Sequence, residues 1–77
     1  MLKDGMYVRL KIAPNTRMGM ISKGRVEAGK MRFFFHHDPR FLDTTSDAEV
    51  FDDEVEECDC PSDAQVKLIN EMVQKRN

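Results

Sequence analysis

The sequence predicts a mainly β domain of the α+β kind: a small, partly closed antiparallel barrel of four to five strands, followed by one C-terminal helix. Three observations predict it. Residues 6–12 alternate strictly between apolar and polar. Two more strand-like segments flank Ala28-Gly29 at hairpin spacing. Ser62, followed three residues on by Gln65, opens the one stretch with helical periodicity.

In the first segment, Met6, Val8, Leu10 and Ile12 fall on one side, and Tyr7, Arg9 and Lys11 on the other. Side chains on a strand alternate faces, so this is a half-buried strand with its apolar side inward. Asp4-Gly5 before it and Pro14-Asn15 after it are turn signals. The second strand covers 18–27, and Gly19 and Gly24 within it predict bends or a bulge. The third covers 30–36, with Met31, Phe33 and Phe35 facing one way and Arg32, Phe34 and His36 the other. Asp38-Pro39 ends it, because proline lacks a donor and restricts its neighbour. Phe41 and Leu42 are expected to tuck back onto the core, and residues 44–47 form a polar loop. Residues 49–58 make one strand, or two broken at Asp52-Asp53.

The helix covers about 63–75. Asp63 suits its positive N-terminal end, and Lys75 and Arg76 its negative C-terminal end. Leu68, Ile69, Met72 and Val73 form the stripe expected to pack on the sheet.

Residues 1–77 are expected to form a single domain, and a chain this short buries only about 60–65% of its unfolded surface. Hydrophobic content of 40% beside 34% charged residues fits a folded chain rather than a disordered one. Two cysteines exclude a disulfide framework, and no apolar run approaches the ~18 residues of a membrane span. Charge in the first few residues argues against a signal peptide. The expectation is a cytoplasmic protein with reduced thiols, no membrane association and no cofactor.

The segment DGMYVRL, a loop, and then GMISKGRV resembles the opening of SH3-like barrels of the KOW or Tudor type, in which a first strand leads through a loop to a glycine-marked second strand. The resemblance covers about residues 4–36. It implies a small barrel that binds nucleic acid or protein ligands. The chain departs from methyl-lysine readers in having no tryptophan for an aromatic cage.

The charge of −2 hides a split: residues 1–40 carry a net +6 and residues 41–77 a net −8. Either a charged partner or mutual neutralisation after folding accounts for it, the second being favoured. Four candidate sites follow. The leading one is a protein-binding surface made of Phe34 and the acidic segment Glu49, Asp52, Asp53, Glu54, Glu56 and Glu57, serving a non-catalytic interaction module or regulator, or its self-association. The alternative is a nucleic-acid face of Tyr7, Arg9, Lys11, Lys23, Arg25 and Arg32, with basic groups for phosphates and a ring for base stacking. A pI of about 5.6 runs against that reading. The third is a zinc site formed by Cys58, Cys60 and His36; two thiolates on one strand face suit zinc, but Cys-x-Cys is not the usual knuckle spacing. The fourth is acid–base chemistry at His36-His37-Asp38, which lacks a recognisable nucleophile. No enzyme activity is therefore expected.

Overall fold

A computed structural model describes residues 2–14, 16–42 and 48–76. Five antiparallel strands form one sheet: β1 (Tyr7–Leu10), β2 (Met18–Glu27), β3 (Lys30–His37), β4 (Ala48–Phe51) and β5 (Val55–Glu57). A 3-10 turn, Asp52–Glu54, joins β4 to β5, and a helix, α1 (Asp63–Arg76), follows. The order across the sheet is β4-β3-β2-β1-β5, so the last strand returns to pair with the first. The sheet is not closed, because its edge strands β4 and β5 do not pair with each other. No helix among the described residues is long and apolar enough to cross a membrane.

Strand β1 is shorter than its alternation predicts. Lys11 and Ile12 leave the sheet in a turn, and Ile12 is 86% exposed. The remaining inward residues behave as expected: Val8 is fully buried, with Met6 and Leu10 packed against the same core.

Strand β2 bends where its glycines predict. Register with β3 shifts between Ser22 and Arg25, leaving one extra residue on β2. Lys23 takes φ +54 there, and the Asp4 carboxylate accepts a 2.8 Å hydrogen bond from the Gly24 amide, tying the bulge to the N-terminal turn. Gly19 has a different task. A Cβ there would run into the backbone carbonyl of His36, so glycine is what lets β2 and β3 approach. The β2–β3 hairpin turns through Ala28 (φ +53) and Gly29 (φ +78), the paired left-handed conformation of a two-residue hairpin loop.

The segment expected at 49–58 is two short strands. The Glu54 side chain accepts a 2.8 Å hydrogen bond from the Phe51 amide, which closes the 3-10 turn between them. The polar loop expected at 44–47 lies outside the described residues.

Alternation along β1 to β3 creates two small cores on opposite faces of the sheet. The larger holds Val8, Ile21, Phe33, Phe35, Val50 and Val55. The smaller lies between the other face and α1, and holds Met18, Phe41 and Val66, with Tyr7, Cys58 and Ile69 at its margin. Phe41 thus tucks in as expected, whereas Leu42 stays 53% exposed.

Helix α1 begins with the predicted capping box. The Ser62 amide donates to Oε1 of Gln65 at 2.9 Å, and the Gln65 amide donates to Oγ of Ser62 at 3.2 Å. Its packing corrects the predicted stripe. Only Val66 is buried, Ile69 and Val73 are half-buried, and Leu68 and Met72 stand exposed. The helix docks through its first two turns, where the Asn70 side-chain amide donates to the Arg40 carbonyl and its oxygen accepts from the Leu42 amide. The molecule is accordingly elongated, about 41 × 22 × 16 Å.

Candidate interaction surface

The acidic and basic candidate residues meet each other across the sheet. Register places Arg25 opposite Arg32, Arg32 opposite Phe51 and Phe34 opposite Glu49. Glu49 lies between two guanidinium groups, pairing with Arg25 and, at 3.0 Å, with Arg32. Arg32 also reaches Glu27 at 3.0 Å. Lys30 pairs with Asp53 at 3.0 Å, and Lys30 and Arg32 both lie over the Phe51 ring. One strand pair away, Arg9 holds Glu56 at 2.9 Å.

These pairs move the titrations as contact with an opposite charge requires. The hydrogen bond from Arg25 holds Glu49 below the ordinary carboxylate range, and that from Lys30 does the same for Asp53. Arg25 and Lys30 are raised in turn by Glu49 and Asp53. Among the described residues, basic groups of the first segment and acidic groups of the second therefore interleave on this face.

Of the residues considered for a nucleic-acid face, Arg9, Arg25 and Arg32 are engaged by carboxylates, and Tyr7 donates to Asp38 at 2.7 Å. Lys11 and Lys23 are exposed, one in the turn after β1 and the other at the β2 bulge. Of the acidic set, Glu49, Asp53 and Glu56 are engaged by cations, and Glu54 caps the 3-10 turn. Asp52 and Glu57 are exposed.

Phe34 faces the side of the sheet opposite Phe33 and Phe35, as alternation predicts, and is half-buried. Its ring lies 4.7 Å from that of His36, whose Nε2 is 2.8 Å from Oγ of Ser22. Met20 is cross-strand from His36 and 49% exposed. This patch lies beside the smaller core.

The cysteines part company. Cys58 is half-buried at the margin of the helix core, and burial pushes its thiol up. Cys60 is exposed and lies 3.4 Å from a guanidinium nitrogen of Arg40. His36 sits on the outer sheet face with Ser22. No group of three or more His, Cys, Asp or Glu side chains among the described residues is placed to hold a metal ion. Asp38 is buried and belongs to Tyr7 and Arg40, whose hydrogen bonds lower it to about 2.

A feature that residue types did not reveal lies beside α1. A groove of about 610 Å³ runs between the helix and the β1–β2 turn. Pro14, Thr16, Met18, Cys58 and Pro61 line one side. Leu68, Ile69, Met72 and Val73 form the other wall. Among the described residues, its charged margins are Arg9 and Asp59. The signal in the sequence was the breadth of the helix stripe: four large apolar residues over two turns are more than one shallow sheet face covers.

Comparison with protein-family models, with curated proteins and with solved structures finds no match to the chain.

Proposed function

We propose that the chain is a small non-catalytic interaction module, built on an SH3-like variant of the antiparallel sheet, that binds a protein chain along the α1 groove. One observation carries the reading. Leu68 and Met72 are 62% and 59% exposed, four residues apart on one helix face, and they border a concave apolar surface. Isolated exposed apolar residues are ordinary, whereas a contiguous set lining a groove is the mark of an interface. The charged face of β2, β3 and β4 is a poorer candidate, because a partner there must first displace internal ion pairs. The SH3-like part of the proposal is supported by the loop between β1 and β2, the glycine-marked bend of β2 and the return of β5 to β1. Location in the cytoplasm, with both thiols reduced, is proposed with it.

The test compares retention of protein partners by the immobilised wild-type chain, by Leu68→Glu and by a chain with the charges at 52–57 reversed. Loss with Leu68→Glu and retention with the reversed segment are expected. Equal retention by wild type and Leu68→Glu removes the groove from the reading.

A further inference from the structure

We infer that the occupant of the groove is a second copy of this chain, with the two α1 helices antiparallel and Leu68 of each set against Met72 of the other. The inference rests on the groove being a contact surface and names what fills it.

The first ground is shape. Each chain carries both a projecting stripe, Leu68 and Met72, and the hollow beside it. A two-fold axis uses one patch on both partners, so that patch must complement itself. An axis crossing α1 at the level of Asn70 exchanges positions 68 and 72. It therefore sets Leu68 against Met72 twice, and brings each stripe towards the opposite hollow.

The second ground is charge. Asp59 borders the groove just before the helix, and Arg9, the other charged residue lining it, is already held by Glu56. Lys75 stands exposed in the last turn of α1. A parallel copy places acid beside acid and base beside base. An antiparallel copy places Lys75 of each chain at the Asp59 end of the other, again twice. Opposed helix dipoles favour the same arrangement.

The third ground is size. A 14-residue helix is about 21 Å long, and a contact confined to it falls at the low end of specific interfaces. The pairing is accordingly reversible and visible only at higher concentration.

Sedimentation velocity over about 5–500 µM tests it, a range set by the weak affinity expected of a small interface. The wild-type chain is expected to shift from monomer to dimer, and Leu68→Glu and Met72→Glu to remain monomeric with an unchanged circular dichroism spectrum. Lys75→Glu is expected to weaken dimerisation about 3–10-fold, and the swap Asp59→Lys with Lys75→Glu to restore it. A wild-type chain that stays monomeric to ~500 µM overturns self-pairing. The groove reading survives that result if partner retention still depends on Leu68. A dimer indifferent to Leu68→Glu overturns self-pairing through the groove, and a swap that fails to restore pairing overturns the antiparallel arrangement.

Discussion

Tyr7 Oη donates a 2.7 Å hydrogen bond to Oδ2 of Asp38, joining β1 to the end of β3 across 31 positions of sequence. The same carboxylate accepts from the Arg40 backbone amide and from its guanidinium, which continues to Asp63 at 2.9 Å. A buried acid thus holds together the first strand, the third strand and the start of the helix. Desolvation and this hydrogen bond raise the Tyr7 phenol, while the guanidinium lowers Asp38 to about 2.

Acid is expected to loosen this junction first. A carboxylate with a depressed folded pKa contributes stability above its unfolded value, near 4, and loses it as pH falls towards 2. After screening at the half-exposed Arg40 side, the contribution is about 1–2 kcal/mol. Urea melts of wild type and Asp38→Asn check it. The variant should be less stable at pH 7, and the gap should close between about pH 4 and pH 2. A gap independent of pH counts against the linkage.

Ala28 occupies a left-handed conformation that asparagine tolerates better. Ala28→Asn is expected to stabilise the hairpin by about 0.5–1 kcal/mol. The readout is the thermal midpoint, and a drop shows that the turn is not of this type.

Gly24 does not have a positive φ, so its requirement is space. A Cβ there would lie 2.6 Å from the Phe33 ring, which is buried in the larger core. Gly24→Ala is expected to cost about 1–3 kcal/mol through overpacking. Gly29→Ala meets no atom within 4 Å and is penalised through its φ of +78 instead. Shortening the ring with Phe33→Leu should relieve Gly24→Ala and leave Gly29→Ala unchanged.

Glu49 lies between Arg25 and Arg32 near the surface. Glu49→Gln is expected to lower the melting temperature slightly at about 20 mM salt and not at all near 1 M, where charges beyond about 3 Å are screened. A salt-independent deficit would point to packing of Phe51 instead.

The strands were readable because period-two alternation and turn residues act locally. Val8, Phe33 and Phe35 are buried as their spacing requires, and Ser62 and Gln65 cap the helix as theirs does. Ile12 departs from its expected face because alternation continues past the point where pairing stops. Its neighbour Lys11 still donates a backbone hydrogen bond to Glu54, but the chain has turned away. Leu68 and Met72 stay exposed against expectation because helical spacing identifies an apolar face without stating how much sheet is available to cover it. The pairing of Arg9 with Glu56, 47 positions apart, depends on β5 returning to β1, which no local pattern encodes. The interaction groove was illegible for the same reason, since its walls come from three separate stretches of chain.

The placement of Val8 and Met18 on opposite faces of adjoining strands makes the sheet a partition between two compartments. The larger one holds Val8, Ile21, Phe33 and Phe35 at 1% exposure or less. The one roofed by α1 is closed mainly by Val66 and Phe41. Lifting that roof does not require opening the compartment on the far side, so that exchange of helix amides with solvent need not report global unfolding.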